Sequence, residues 1–194
     1  MLTLLRPFAW ANTWVLRIMR HVAWMALALM VVVILAQVFF RYVLSSALPW
    51  PDEAARFLML WMTALMAPSA MRWGGFVSID MLPRALPRVP SLLLTLVLLV
   101  ASLAVLIVGL SHGYNHTFGF GGRFNSSSLK VPLDWFGYDV VRVKLRYMYG
   151  SLLLCVVMMG VVTVEMILRA LITLINPSAE LPTDDAPAGM LEAD

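Results

Sequence analysis

The sequence has few charged residues and almost no cysteine. Only 13% of its 194 residues are charged and 61% are hydrophobic, whereas soluble domains have about 25% charged and about 45–50% apolar residues. This balance excludes a disordered chain. The single cysteine, Cys155, cannot form an internal disulfide, which excludes a disulfide-rich secreted domain. Because the apolar excess must be covered by something other than water, the composition predicts an integral membrane protein.

The positive net charge does not indicate nucleic-acid binding. Residues 1–175 hold all 14 Lys and Arg together with six acids, whereas residues 176–194 hold five acids and no base. The basic residues mostly flank apolar segments, as membrane topology requires. We therefore expect no nucleic-acid partner. Residues 176–194, with three prolines among scattered acids, are expected to form a disordered acidic cytoplasmic tail.

Four apolar segments are long enough to cross a bilayer, which takes roughly 20 mostly apolar residues. Each should be a helix, because lipid offers no partner to backbone polar groups. The sequence therefore predicts an all-α integral membrane protein with one four-helix transmembrane domain over residues 1–175. The spans are expected at about 22–40, 54–72, 91–111 and 147–168.

The basic residues also bear on orientation. No small-x-small cleavage site follows the first span, which is therefore expected to be an uncleaved anchor. An even number of spans places both termini on one side, although the Lys/Arg count is tied at seven on each side. The first helix usually dominates orientation, and three arginines precede it, against Arg41 after it. We predict that both termini are cytoplasmic.

The segment from Pro49 to Asp80 is the most informative. Pro51 suits the first turn of a helix, and Asp52 and Glu53 lie where free N–H groups and the helix dipole favour negative charge. Arg56 follows Asp52 by four residues, in the acid-first order that favours an ion pair. The pattern predicts a helix that starts at the membrane surface.

The remainder of this segment predicts close helix packing and then an exit from the membrane. Small residues along the second span would let another helix approach closely; they are Ala64, Ala67, Ser69 and Ala70. Arg72 and the Gly74–Gly75 pair mark the exit into a cytoplasmic turn. Taken singly, these features are ordinary caps and anchors of membrane helices. Their combination is more specific.

In this combination the chain resembles the small membrane subunit (Q subunit) of tripartite ATP-independent periplasmic (TRAP) transporters. The family pattern has a Trp, an acidic pair, an Arg, a Trp within the span and an Arg-x-Gly-Gly exit that ends in Asp. The corresponding residues here are Trp50, Asp52–Glu53, Arg56, Trp61, Arg72-Trp73-Gly74-Gly75 and Asp80. Phe76 stands where many members have His, which weakens the case for proton or ion chemistry at that position.

The resemblance implies a scaffold role. In such transporters a periplasmic solute-binding protein delivers an organic acid to a large multi-helix membrane subunit, which carries the substrate and sodium sites. The small subunit packs against the static part of the large one. The resemblance thus implies a bacterial inner-membrane protein that is not an enzyme and holds no cofactor or metal. The expected interface or structural residues are Trp50, Asp52, Glu53, Arg56, Trp61, Ala64, Ala67, Arg72 and Asp80.

Glu165 is the only acid inside an apolar helix, and it could be an ion or proton site. Arg169 follows it by four residues, so an ion pair near the cytoplasmic end is the favoured interpretation. The basic run from Val141 to Arg146 could form a positively charged outer rim, or it could mean that the predicted topology is wrong.

Three histidines raise an alternative, the haem-bearing membrane anchor of a respiratory oxidoreductase. Axial haem ligands must lie at one depth on facing helices. His21 precedes the first span and His112 and His116 follow the third, so they are expected about a membrane thickness apart, roughly 30 Å. An intramembrane enzyme is a further alternative, but the chain lacks its motifs.

Overall fold

The computed structural model describes residues 2–46, 48–74, 87–119, 121–131 and 141–175. Within these ranges lie four long helices: α1 (Leu2–Tyr42), α2 (Pro51–Arg72), α3 (Arg88–Phe118) and α4 (Arg146–Ile175). All four are long and apolar enough to cross a membrane. The prediction of a helical membrane fold with four spans is therefore confirmed.

The helices extend past the predicted spans. α1 has 41 residues, which corresponds to about 60 Å at 1.5 Å per residue, against a hydrocarbon core of about 30 Å. The helix begins 20 residues before the predicted span, although this stretch contains three arginines. Hydropathy indicates which residues lie in the hydrocarbon core. The backbone hydrogen bonds of a helix can continue beyond that core, so a span predicted from hydropathy is shorter than the helix that contains it.

The structure also contains a small antiparallel sheet that the all-α prediction did not include. Strands β1 (Asn125–Val131) and β2 (Val141–Lys144) pair with Val131 opposite Val141, and the register shifts between Asn125 and Lys130. β2 alternates valine with a basic residue, which is the period-two pattern of a strand. Two residues of the basic run, Arg142 and Lys144, therefore lie on the exposed face of a hairpin strand, whereas Arg146 begins α4.

Two helix ends have left-handed residues at their caps. After α1, the amide of Ser46 donates to the carbonyl of Phe40 at 3.0 Å, and Ser45 has φ 50°; this bond spans one residue more than the six-to-one bond of a Schellman cap. After α2, Gly74 has φ 73°. α2 therefore ends at Arg72, next to this turn, and glycine is the residue that adopts this conformation without a steric cost.

The described residues fall into two compact units. The first comprises those within Met1–Met19, Ala67–Gly109 and Val156–Asp194, and the second those within Arg20–Met66 and Leu110–Cys155. In the first unit, one face of α1 is buried at intervals of three to four residues, together with side chains of the other helices. Its buried apolar residues are Leu5, Ala9, Leu16, Met19, Met71, Leu99, Val162 and Ile172.

Two glycines of α3, in a Gly-x-x-x-Gly spacing that the sequence reasoning overlooked, lie against α4. In the first unit, a Cβ added to Gly109 would lie 3.7 Å from Val156 Cγ1. In the second unit, a Cβ added to Gly113 would lie 3.4 Å from Leu153 Cδ1 and 3.8 Å from Leu153 Cα. Small residues with this spacing let two membrane helices approach closely.

Candidate functional site

Glu165 is the centre of a polar cluster in the first unit. Its side chain is 1% exposed, and Oε1 accepts hydrogen bonds from Arg72 Nη2 at 2.8 Å and from Arg169 at 2.7 and 3.0 Å. The second oxygen, Oε2, accepts a hydrogen bond from the amide of Asn12. One carboxylate is thus shared by side chains from three helices. The predicted ion pair between Glu165 and Arg169 is present, and the structure adds Arg72 and Asn12 to it.

α1 contributes a second polar contact to this cluster. Arg72 Nη1 donates to Thr13 Oγ1 at 2.7 Å, and this hydroxyl donates in turn to the carbonyl of Ala9 at 2.7 Å. Asn12 is 5% exposed and Arg72 7% exposed. Consecutive polar residues of α1 therefore face the end of α2. This orientation follows from the heptad-like burial of the same helix face, which places residues 9, 12 and 16 in one stripe.

The arrangement is suited to holding helices in place. A buried charge without a partner costs several kcal/mol, and here the carboxylate is satisfied at both oxygens by four donors. The cluster Asn12–Thr13–Arg72–Glu165–Arg169, here called the Glu165 cluster, therefore links α1, α2 and α4. Its geometry is that of a structural ion pair whose carboxylate is satisfied at both oxygens, whereas Asn12 Oδ1 is buried without a hydrogen-bond partner among the described residues.

A different set of contacts holds the start of α2 in the second unit. Gln37 Nε2 donates to Asp52 Oδ1 at 2.8 Å, and Ser126 Oγ, at the beginning of β1, donates to Glu53 Oε1. Ser126 is 1% exposed. The acidic pair at the helix start thus joins α2 to α1 and to the hairpin. The sequence predicted the cap positions but not these partners, which are distant in the chain.

The expected pairing of Asp52 with Arg56 is absent. Both residues are exposed, and within the described part of the chain Asp52 is engaged by Gln37, while no hydrogen bond or ion pair engages Arg56. A glutamine on a neighbouring helix competes successfully because a surface i, i+4 pair is worth only about 0.3–0.5 kcal/mol. The prediction of this pair was therefore wrong.

The other predicted residues of the second unit have different environments. Pro51 is buried at the first position of α2, and the carbonyl of Trp50 accepts the amide of Ala54 at 3.0 Å, so the helix starts where the sequence predicted. The Trp61 ring lies near that of Phe57, with centroids 6.3 Å apart and planes inclined at 50°, and its indole nitrogen is buried. Ala64 is 5% exposed, inside the chain's own core.

Some of the predicted positions lie outside the described residues, and others lie in the first unit. Asp80, Phe76 and the expected tail at 176–194 lie outside the described residues. In the first unit, Ala67 is half-buried, and Arg72 points into the Glu165 cluster. The roles of Trp50, Trp61, Ala64 and Ala67 at a subunit interface stay predictions.

The histidines show no metal-binding arrangement. His112 and His116 are exposed on α3, and the His116 ring lies 6.0 Å from the ring of Tyr149. Over the described ranges, no three His, Cys, Asp or Glu side chains lie close enough to hold a metal ion. Arg146, in the basic run, lies over the Phe118 ring at 4.6 Å from its centroid.

These features define a class of protein, a multi-pass α-helical membrane protein. The sequence matches, over residues 30–173, the family described as tripartite ATP-independent periplasmic transporters, DctQ component. The match covers most of the chain, so the chain belongs to this family, the small membrane subunits of TRAP transporters. No curated protein sequence matches the chain significantly.

Proposed function

We propose that this subunit is a scaffold that packs against a large multi-helix membrane transport subunit. That subunit would perform sodium-coupled uptake of an organic acid delivered by a periplasmic solute-binding protein. The observation that carries the proposal is the membership of the DctQ family together with the Glu165 cluster. The buried charges of that cluster are already engaged with one another across three helices, which favours a rigid structural element over a transport site.

The spans themselves support the same role. Paired, Gly/Pro-interrupted helices are the usual pointer to a transporter's own binding site. α1, α2, α3 and α4 are each continuous over the described residues, although α1 contains Pro7 and α2 contains Pro68. We therefore assign substrate and ion binding to the partner and assign this chain to the supporting part of the complex.

We further propose that the protein resides in the bacterial inner membrane with both termini in the cytoplasm. The three arginines before the first apolar span support this orientation. Reporter fusions test it: a fluorescent protein at the C-terminus should be fluorescent, and alkaline phosphatase at the same position should be inactive. The opposite pair of results would reverse the proposed topology.

The proposed function is tested by affinity purification of the tagged chain in mild detergent, followed by mass spectrometry. A large polytopic membrane protein should co-purify, and the pair in proteoliposomes should take up an organic acid only with a sodium gradient and a binding protein. Recovery of flavin or iron–sulfur subunits would instead support the respiratory alternative. Recovery of the chain alone would contradict the scaffold proposal.

A matched pair of variants distinguishes an effect on assembly of the complex from an effect on substrate binding. Arg56→Ala should lower the yield of the complex more than it changes the apparent substrate affinity, because Arg56 is exposed and lacks a described partner within the chain. Arg41→Ala, a control at the exposed end of α1, should leave the yield unchanged. If the Arg56 variant assembled normally but changed substrate preference, the scaffold assignment would be wrong.

A further inference from the structure

One face of α2 remains outside the chain's own packing in the second unit. Each of its exposed positions lies three or four residues from another, with positions 59 and 60 side by side, which places them in one stripe along the helix. They are Asp52, Arg56, Met59, Leu60 and Thr63. Met59 is 56% exposed and Leu60 46% exposed. We call these five residues the outer α2 face.

This face differs in chemistry from the exposed surfaces of the other spans. α2 is the least hydrophobic of the four membrane-spanning helices. Over residues 22–40 of α1 and 91–110 of α3, the exposed side chains are all apolar, as lipid contact favours, whereas exposed polar residues of these helices, such as Arg41 and His112, lie nearer their ends. The outer α2 face instead carries two charged side chains in the first two turns of the helix, and a hydroxyl, that of Thr63, which donates to the carbonyl of Met59 at 2.9 Å. Polar groups in a membrane span are usually covered by protein.

The two charged residues of the outer α2 face differ in their contacts. Asp52 is engaged by Gln37 at 2.8 Å, whereas the guanidinium of Arg56 is exposed and is engaged by no described group. One turn further along, Met59 supplies a flexible thioether that adapts to irregular surfaces. The face therefore fits a helix that offers a hydrogen-bond acceptor opposite Arg56 and packs its side chains against Met59 and Leu60.

We propose that the outer α2 face is the surface that binds a transmembrane helix of the large transport subunit. This inference rests on the proposed function and narrows it to one side of one helix. Of the interface or structural residues expected from the sequence, this face includes Asp52 and Arg56 but not Trp61 and Ala64. Both Trp61 and Ala64 are instead packed within the chain: the Trp61 nitrogen is buried, and Ala64 is 5% exposed in the chain alone.

Photo-crosslinking in the intact complex tests the inference. A benzophenone amino acid replaces Met59 or Leu60, and in matched controls it replaces Val32 on α1 or Val100 on α3. The pairs have similar exposure, 56% and 61% for Met59 and Val32, and 46% and 49% for Leu60 and Val100. Adducts with the large subunit are expected from the two α2 positions, with at least fivefold lower yield from the controls.

A steric variant gives an independent measurement. Leu60→Trp should reduce the co-purified large subunit by about tenfold, because overpacking a close contact is destabilising, whereas Val100→Trp should not. Both positions are exposed, so the amount of folded chain should be unchanged in both variants.

The outcomes distinguish failure of the outer α2 face as the binding surface from failure of the proposed function. Adducts mainly from Val32 or Val100, or equal loss of complex with Val100→Trp, would overturn the outer α2 face while the complex itself stands. If the unmodified chain recovered no large subunit at all, the proposed function would fail and this inference would fail with it.

Discussion

Replacing Glu165 by glutamine should destabilise the protein more than any exposed substitution. The variant keeps the size of the side chain and one acceptor oxygen but removes the negative charge that Arg72 and Arg169 share at 2.7 to 3.0 Å. The Arg72 side chain is 3% exposed and that of Glu165 1%. Since breaking a buried ion pair from one side costs about 3–5 kcal/mol, we expect the free energy of unfolding to fall by about that amount.

The measurement is unfolding in mixed detergent micelles, titrated with a denaturing detergent and followed by tryptophan fluorescence. Asp52→Asn is the matched control, because it makes the same chemical change at an exposed carboxylate held by one described hydrogen bond. This control should lose less than about 1 kcal/mol, as is usual for exposed charges.

A triple variant tests whether the loss of stability in Glu165→Gln comes from buried arginines that no longer face a negative charge. Glu165→Leu combined with Arg72→Leu and Arg169→Leu removes the charges together, and such replacements are often neutral or stabilising. It should therefore be more stable than Glu165→Gln. If Glu165→Gln matched the wild type within about 0.5 kcal/mol, the Glu165 cluster would not hold the helices together. A triple variant no more stable than Glu165→Gln would refute the charge argument.

Three further predictions concern backbone packing and caps, measured by the same unfolding titration. Gly113→Leu should cost about 1–3 kcal/mol by overpacking, because its Cβ would already lie 3.4 Å from Leu153, whereas Gly150→Leu, with no atom within 4 Å, should not. Ser45→Gly should stabilise the protein by up to about 1 kcal/mol by relieving a left-handed serine at φ 50°. Gly74→Ala should destabilise it by about 1–2 kcal/mol, since φ is 73° there.

Each of these has a contradicting result. Equal losses for Gly113→Leu and Gly150→Leu would mean that α3 and α4 do not pack closely at Gly113. A Ser45→Gly variant that unfolds earlier than the wild type would place the end of α1 in another conformation. An unchanged Gly74→Ala variant would show that the exit from α2 does not depend on a left-handed residue.

Much of the fold follows from composition and from residues at helix ends. A span needs only a run of apolar residues, and this requirement is local, so four spans could be counted without a structure. The start of α2 was also predictable, because Pro51, Asp52 and Glu53 act on the backbone of their own first turn. The hairpin was not predicted, because its strands are short and the fold class was inferred from the long apolar segments around them.

The candidate site was predicted only in part, and the reason is sequence separation. Glu165 and Arg169 are four residues apart, so helical periodicity alone brings them together. Asn12 and Arg72 are far from Glu165 in the chain, and no local pattern indicates which of several polar residues will meet.

The apolar composition by itself makes this chain a membrane protein, because exposed apolar surface in such excess has no stable place in water, and that constraint acts on every residue wherever it lies. The partners of the few polar residues depend instead on how the helices rotate and pack. Tertiary structure turned the faces of α1, α2 and α4 so that Glu165 is buried with its donors, and left Arg56 on the outside. The energy of burying a charge depends on these contacts, which only the folded helices create.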